Sequence, residues 1–211
     1  MNTNCESNTP SAKRLFDLFC ANLGLLLTAP LFPLIALAIK LDSPGPIFYR
    51  QLRVGRQHPD RTELFHMIKF RTMVANAESG SGAVWATQND SRITPVGNFL
   101  RKTRLDELPQ FVNVLQGDMS MIGPRPERPE FYRTLEKNIP FFVERIYGVT
   151  PGITGLSQVN QGYDTNLDDV RRKLAFDLQY SLALGSTRRW LLMDLEIALK
   201  TVATMILGRG Q

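Results

Sequence analysis

The chain has 211 residues and a formal net charge of +5, with a sequence pI near 9.4. This length suits one well-buried domain, or one domain with a membrane element, and leaves little room for a second independent core. The basic balance favours acidic partners, which include anionic lipid headgroups, nucleotides and nucleic acid. The two cysteines, Cys5 and Cys20, and the two histidines, His58 and His66, are too few and too scattered for a disulfide framework or a zinc site, which fits a reducing, cytoplasmic setting.

The first predicted element is an uncharged apolar run from Leu18 to Ile39, which is 22 residues long. As a helix it would measure roughly 33 Å, which is membrane length. Pro30 and Pro33 lack backbone donors and clash with the preceding turn, so a sharp bend is expected near Ala29. Basic residues flank both ends, which favours a re-entrant segment over residues 14–41 that returns to the cytoplasmic face. A spanning helix and a buried core helix of a soluble protein are the alternatives.

Two β-rich runs follow, Ile47–Arg53 and Thr62–Arg71, and the turn residues between them predict a hairpin. Strand alternation places Lys69 and Arg71 on one face, where they offer two neighbouring cations. The Gly- and Ser-rich stretch Ala75–Asn89 predicts a mobile loop of the kind that closes over substrates. Helical patterns then cover approximately residues 96–103, 107–116, 128–136, 141–147 and 168–184.

The adjacent carboxylates Asp106 and Glu107 are the strongest chemical signal in the chain. The apolar spacing after them, with Pro109 in a first turn and Gly117 as a stop, places the pair at a helix N-terminus. A plain N-cap is the structural alternative for Asp106. Two adjacent carboxylates repel each other, so both stay ionised only beside cations or a metal. Oxygen ligands of this kind, completed by substrate phosphates, suit Mg²⁺ better than zinc.

Two further segments predict ligand contacts. In Gly123-Pro124-Arg125-Pro126, the prolines restrict the backbone on both sides of Arg125 and present its planar fork rigidly, as phosphate binding requires. In the segment 150–160, Gly152 and Gly155 predict a close backbone approach to a ligand, and Thr154, Gln158 and Asn160 could donate hydrogen bonds. The C-terminal stretch 190–207 has apolar residues at helical spacing, which fits either an interfacial helix or a helix packed on the core.

Taken in order, six motifs resemble the bacterial sugar transferase family, the monotopic phosphoglycosyl transferases. They cover nearly the whole chain from Lys13 onward, as in a minimal catalytic form. The motifs are KRLFDL near the start, KFRTM (69–73), LRKTRLDELPQFVNVLQGDMS (100–120), IGPRPERPEF (122–131), PGITGLSQVN (151–160) and FDLQY (176–180).

The resemblance implies transfer of a sugar 1-phosphate from a UDP-sugar to a polyprenyl phosphate such as undecaprenyl phosphate, with Mg²⁺, at the cytoplasmic face of the bacterial inner membrane. This reaction starts the assembly of surface glycans and exopolysaccharides. Asp106 would be the nucleophile that carries the phosphosugar, and Glu107 its partner in metal binding or proton handling. A homodimer is also plausible by resemblance. The implied substrate-binding residues are Lys69, Arg71, Arg101, Pro124, Arg125, Pro126, Thr154, Gln158 and Asp177.

The sequence departs from the family pattern at two positions. Ala29-Pro30 stands where a Ser-Pro pair is common, so the hydroxyl that would satisfy the broken backbone is missing, and Thr28 or Pro33 would have to compensate. Leu156 replaces a common tryptophan.

The expected fold is therefore α+β and mostly helical. It is a single domain over residues 1–211 with a β-hairpin, a proline-broken re-entrant membrane helix, a cytoplasmic catalytic part over 42–211 and amphipathic interfacial helices. The competing functional hypothesis is a membrane-bound module that binds anions or nucleic acid without catalysis. The expectation is no nucleic-acid binding, because the basic residues lack the interleaved aromatics of a strand-binding platform.

Overall fold

The structure is a computed structural model that describes residues 11–206 except 80, 81, 83, 85–89 and 162–166. The described part is mostly helical, with two small two-stranded sheets, as the α+β expectation requires. The helices and strands in chain order are α1 Ser11–Thr28, α2 Leu31–Asp42, β1 Phe48–Gln57, β2 Thr62–Phe70, α3 Pro95–Lys102, α4 Gln110–Gln116, β3 Ser120–Ile122, α5 Pro129–Asn138, β4 Gly152–Thr154, α6 Leu156–Asn160, α7 Leu167–Ala183 and α8 Thr187–Ile206.

The apolar run forms two helices, α1 and α2, that meet at an angle of 63°. The break falls at Ala29-Pro30, which confirms the predicted bend. The Thr28 hydroxyl donates to the Gly24 carbonyl at 2.7 Å, so a hydroxyl one residue before Ala29 bonds the backbone near the break. Neither helix alone has the length and hydropathy to cross a bilayer, whereas the bent pair taken together passes the same test.

The helix pair lies on the surface of the protein and is not a buried core helix. Its inward face is narrow and includes Ala21, Ile35 and Ile39. Several leucines on the outward face are largely exposed, with Leu27 at 69% and Leu34 at 65%. The soluble-core alternative is therefore wrong, because a core helix would bury these side chains.

The start of the helix pair is bound to the globular part by two basic side chains. At the start of α1, Lys13 is buried and donates to Asp194 of α8 at 2.9 Å. Arg14 donates to the last carbonyls of α4, with 3.0 Å to Leu115. The basic residues before the apolar run, which were expected as membrane-flanking charges, are thus bound to protein groups.

The strands β1 and β2 form the predicted hairpin, with Phe48 opposite Phe70 and a bulge between Val54 and Gln57. One face packs on α2: the Phe70 ring lies 5.0 Å from the Phe32 ring, and Phe70 shares a cluster with Ile35, Ile39 and Leu100. Because side chains alternate along a strand, the residues next to these in β1 and β2 face away from α2, toward a cavity. The predicted loop over residues 75–89 is a turn at 75–79, and its remainder lies mostly outside the described residues.

The acid pair does not cap a helix, which corrects the prediction for residues 107–116. Asp106 and Glu107 lie in a short 3₁₀ turn, Leu105–Glu107, and α4 begins only at Gln110 after Pro109. The N-cap alternative for Asp106 is therefore wrong. The predicted helix over 141–147 is likewise only a 3₁₀ turn, Val143–Ile146, and Phe141 before it has a positive φ of 65°, which does not fit a helix that begins at this residue.

Strands β3 and β4 pair in parallel, with Ser120 opposite Gly152. Gly152 and Gly155 allow a close approach, but the partner is the backbone at Gly123 and not a ligand pocket. A Cβ on Gly155 would lie 2.2 Å from the Gly123 carbonyl oxygen. This contact fixes the segment that carries Arg125, so the glycine motif supports the site from behind.

Helix α8 packs on the core, as one of the two alternatives required, and also has an exposed apolar face. One face packs on the core through Trp190, Asp194 and Ile197, which are all buried. The opposite face leaves a row of apolar side chains exposed, as an interfacial helix would. This row consists of Leu191, Leu192, Leu195, Leu199 and Val202.

Candidate active site

A cavity of about 630 Å³ lies between the hairpin, the turn at 75–79 and the segment that follows β3. Asp106 is part of its wall. The charged residues that line it are predominantly basic, which favours an anionic ligand. They are Arg53, Lys69, Arg71, Arg92, Arg101, Arg125, Arg128 and Lys173 against Glu78, Asp106 and Glu127.

The hairpin supplies the cationic wall through strand alternation. Lys69 and Arg71, two residues apart, both line the cavity, as does Phe70 between them. Tyr49 and Arg53 line it from β1, and Tyr49 pairs with Lys69 across the strands. A period of two thus converts one hairpin into a row of ligand-facing side chains.

Glu107 is held by three cations. Its Oε1 accepts from Lys69 at 2.8 Å and from Arg125 at 3.1 Å, and its Oε2 lies 3.5 Å from Arg104. Burial opposes ionisation, but Lys69 and Arg125 outweigh it and hold the pKa of Glu107 well below its usual range. Glu107 is therefore an anion that organises the basic residues around it.

Asp106 has the opposite environment. It is only 6% exposed, and it accepts no hydrogen bond and forms no ion pair among the residues that the structure describes. Burial raises the pKa of Asp106 above its usual value, an effect that Lys69 only partly offsets and the adjacent Glu107 reinforces. A desolvated carboxylate without hydrogen bonds is a better nucleophile than a solvated or paired one.

The carboxylates of the site fit Mg²⁺ as one or two protein ligands completed by substrate phosphates and water. Within the described ranges, no group of three or more His, Cys, Asp or Glu side chains could hold a metal by protein ligands alone. Mg²⁺ does not need such a cage, because it is commonly bound by one or two carboxylates together with substrate phosphates and water. Asp106 offers two uncommitted oxygens, whereas those of Glu107 are engaged by cations.

Arg125 is positioned by a buried relay. Its carbonyl accepts from Arg145 at 3.1 Å, and Arg145 in turn donates to Asp177 at 2.8 Å. Asp177 also accepts from Ser157 at 2.9 Å. Asp177 does not line the cavity. The structure therefore places this predicted substrate-binding residue behind the site, where it holds the partner of Arg125.

Arg71 faces the cavity but donates elsewhere. Its guanidinium binds the carbonyls of Ser43 at 2.7 Å and of Pro44, just after the end of α2. Gly45, at a φ of 127°, packs so closely that a Cβ there would lie 2.6 Å from Arg71 Nη1. Arg71 thus joins the membrane-length helix pair to the strand that carries Lys69.

Of the other predicted site residues, one lines the cavity and four do not. Arg101 lines the cavity with Lys69, Arg125 and Asp106, whereas Pro124, Pro126, Thr154 and Gln158 are absent from its lining. These four residues bond to nearby protein groups. The Pro126 carbonyl accepts from Arg53 at 3.0 Å, the Pro124 carbonyl accepts from the Gly152 amide at 2.9 Å, Thr154 Oγ1 pairs with Thr201 Oγ1 at 2.8 Å, and Gln158 donates to the Ile153 carbonyl at 3.0 Å.

Arg128 is the main site residue that sequence reasoning did not select, whereas Arg104 was expected only as one of the cations next to the acid pair in the chain. Arg104 adopts a positive φ of 59°, which directs its side chain toward Glu107 and is not readable from sequence. Arg128 carried a usable signal. It precedes Pro129 just as Arg125 precedes Pro126, so the argument for rigid presentation applies to both arginines.

Comparisons with known proteins agree with the six sequence motifs that cover most of the chain. A sequence model described as bacterial sugar transferase matches residues 8–208. The UDP-N-acetylgalactosamine-undecaprenyl-phosphate N-acetylgalactosaminephosphotransferase of Aeromonas hydrophila is 43% identical over 198 residues, which cover 94% of this chain and 44% of the relative. A UDP-glucose:undecaprenyl-phosphate glucose-1-phosphate transferase of Xanthomonas campestris pv. campestris is 41% identical over 201 residues, covering 94% of this chain and 39% of the relative.

A third relative has nearly the same length. The exopolysaccharide production protein PSS of Rhizobium leguminosarum bv. phaseoli is 36% identical over 204 residues, which cover 94% of this chain and 97% of that protein. The chain therefore spans less than half the length of the first two relatives and almost all of the third.

Proposed function

The chain belongs to the bacterial sugar transferase family, and from this premise we propose that it transfers a sugar 1-phosphate from a UDP-sugar to undecaprenyl phosphate. The names of the relatives support both substrates. The observation that carries the proposal is the buried, unpaired carboxylate of Asp106 on the wall of a cationic cavity. This arrangement suits a nucleophile that meets a diphosphate.

The proposed reaction has two displacements at one phosphorus atom. In the first, an Asp106 oxygen attacks the sugar-proximal phosphorus of the UDP-sugar, and the bond to the UMP oxygen breaks with its electron pair. UMP leaves, and the phosphosugar remains as an acyl phosphate on Asp106. In the second, an oxygen of the lipid phosphate attacks the same phosphorus and releases the Asp106 carboxylate. Two steps allow the soluble product to depart before the lipid reacts.

The surrounding residues supply positioning and charge. Lys69, Arg101 and Arg125 face the cavity and would bind the diphosphate oxygens, so less charge repulsion opposes the attack of one anion on another. Glu107 keeps Lys69 and Arg125 in place through its two short contacts. Mg²⁺ bound by Asp106 and the substrate phosphates, with Glu107 adjacent, would supply further electrostatic stabilisation of the transferred group.

We also propose that the helix pair is re-entrant and that the protein acts from the cytoplasmic face of the inner membrane, where it would start surface glycan or exopolysaccharide assembly. Two observations support one-sided insertion. Lys13 at the start of α1 donates to Asp194, and the carbonyls of Ser43 and Pro44 just after α2 accept from Arg71. Both ends of the pair therefore contact the same globular part, which favours their return to one side. The exposed leucines of the pair and of α8 offer apolar surface to one leaflet.

The activity is tested with purified protein, Mg²⁺ and a panel of UDP-sugars. With the correct donor and no lipid, we expect release of at most one UMP per protein and a mass increase of one phosphosugar on Asp106. Added undecaprenyl phosphate should remove that mass and allow multiple turnover. If no donor releases UMP with or without lipid, the proposed function is wrong.

The topology is tested by cysteine accessibility in inverted and right-side-out vesicles, starting from a variant without Cys5 and Cys20. Ser11→Cys and Arg50→Cys, which flank the pair, should both react with an impermeant maleimide from the cytoplasmic side. Leu27→Cys at the bend should be protected from both sides. Reaction of the two flanks from opposite sides would contradict the re-entrant topology.

A further inference from the structure

The cavity has a second cationic region built around Arg128, apart from the nucleophile. Both terminal nitrogens of Arg128 donate to Glu78, with 2.7 Å from Nη1 to Oε1 and 2.9 Å from Nη2 to Oε2. Both residues line the cavity. The Arg128 side chain is 9% exposed, so this is a largely desolvated, bidentate contact inside the ligand space.

The backbone presents Arg128 rigidly. It lies at φ −78° and ψ 137°, the extended region to which the following Pro129 restricts it. Its guanidinium also lies 5.3 Å from the centre of the Phe131 ring, which limits the motion of the side chain. Arg53 has a pKa lowered to about 10, mainly by burial, with the neighbouring charges of Arg125 and Arg128 adding to this effect. Arg53, Arg125 and Arg128 thus lie close enough to one another for their charges to interact, and Glu127 is the carboxylate that acts most strongly on Arg53.

Glu78 is held less firmly. It lies in the turn at residues 75–79, outside any helix or strand, and its side chain is 33% exposed. A carboxylate that binds both arms of an arginine fork takes the geometry of a phosphate bound in the same way. Arg128 binds Glu78 and Glu130, whereas the cations that act most strongly on Asp106 are Lys69, Arg101 and Arg104.

We propose that Arg128 is a phosphate-binding subsite of this cavity and that Glu78 occupies it in the free protein as an internal substitute for the phosphate. Substrate binding displaces Glu78, and its carboxylate then returns to solvent. The inference rests on the proposed function, since it assigns a subsite to the same cavity. The phosphate belongs either to the nucleotide diphosphate of the donor or to the lipid phosphate of the acceptor.

The test measures binding of UDP, and separately of undecaprenyl phosphate, to the full-length protein in detergent with Mg²⁺. Glu78→Gln keeps the size of the side chain but removes the competing charge, so we expect about tenfold tighter binding of the phosphate that uses Arg128. Tightening for UDP assigns the subsite to the donor, and tightening for the lipid assigns it to the acceptor. Arg128→Lys, which retains the charge but loses the fork, should weaken the same ligand.

Substitution of two other carboxylates distinguishes displacement of Glu78 from a general effect of removing one negative charge. Glu127→Gln removes a charge from the same cavity wall, and Glu130→Gln removes the other carboxylate near Arg128, at 3.5 Å, from outside the cavity lining. Both should tighten binding much less than Glu78→Gln does. In an Arg128→Lys background, the gain from Glu78→Gln should largely disappear.

Three results would overturn the inference and leave the proposed function intact. They are unchanged or weaker binding in Glu78→Gln, equal tightening in Glu127→Gln, and a gain that persists at full size in the Arg128→Lys background. Absence of binding of both ligands to every variant, including the wild type, would instead contradict the proposed function itself.

Discussion

Asp106→Asn is expected to abolish phosphosugar transfer and to make the protein more stable. The substitution removes the proposed nucleophile, so turnover should fall by about a thousandfold or more. Because the side chain is buried without a hydrogen bond, its negative charge costs folding free energy that a neutral amide of equal size avoids. A gain in stability on loss of function is the pattern expected of an active-site residue.

The pH dependence follows from the raised pKa of Asp106. The folded protein binds this proton more tightly than the unfolded chain, whose aspartates titrate near 3.9. The stability contributed by the protonated form is therefore fully present below about pH 3.9 and is lost as the pH rises through the raised value. Asp106→Asn lacks this loss, so its advantage over the wild type should be largest at neutral pH and should shrink on acidification.

Thermal unfolding in detergent at several pH values, together with UMP release, measures both effects. The matched control is Asp168→Asn, which changes an exposed carboxylate paired with Arg171 on the surface of α7. It should leave activity unchanged and alter stability by no more than about 0.5 kcal/mol. Full UMP release by Asp106→Asn would exclude this residue as the nucleophile, and a lower midpoint at neutral pH would contradict the assigned cost of burial.

Asp177→Asn is expected to destabilise the protein strongly, in contrast to Asp106→Asn. Asp177 and Arg145 form a buried ion pair at 2.8 Å in which each side chain is 3% exposed. Removal of one partner leaves the other as an uncompensated buried charge, which typically costs about 3–5 kcal/mol. Activity should fall as well, because Arg145 would no longer hold the Arg125 carbonyl in place.

The unfolding midpoint should drop by roughly 10 °C, at about 2–4 °C per kcal/mol for a chain of this size. The double variant Asp177→Leu with Arg145→Met should recover most of the stability, because it removes both charges from the interior. If Asp177→Asn instead raises the KM for the UDP-sugar with an unchanged midpoint, Asp177 contacts substrate, as the family resemblance had implied.

Local backbone chemistry made several elements predictable from the sequence. Pro30 lacks a donor and clashes with the preceding turn, so the bend at Ala29 follows from covalent structure alone. Period-two alternation gave the hairpin and the shared face of Lys69 and Arg71. The same local rules failed at Asp106, because the spacing of apolar residues after it does not distinguish a helix start from a 3₁₀ turn followed by Pro109.

The candidate site residues were likewise predicted only in part from the sequence. Adjacent carboxylates among arginines predicted where the candidate site lies in the chain, and the Arg-Pro pair predicted that Arg125 is presented rigidly. The different environments of the two acids could not be predicted from the sequence, because they depend on contacts across the fold. Lys69 and Arg125 come from distant segments to hold Glu107, while Asp106 next to it remains unpaired.

The sequence by itself determined the membrane-length bent segment, the hairpin and the acid pair, since each depends on neighbours a few residues apart. Only the tertiary structure decided which polar groups face the cavity and which face protein. It placed Asp177 behind Arg125, bound Lys13 to Asp194 across the fold, and set Glu78 against Arg128. The physical reason is that a buried charge without a partner costs folding free energy, so most buried charges are paired, and packing across the fold decides the partner rather than proximity in the chain.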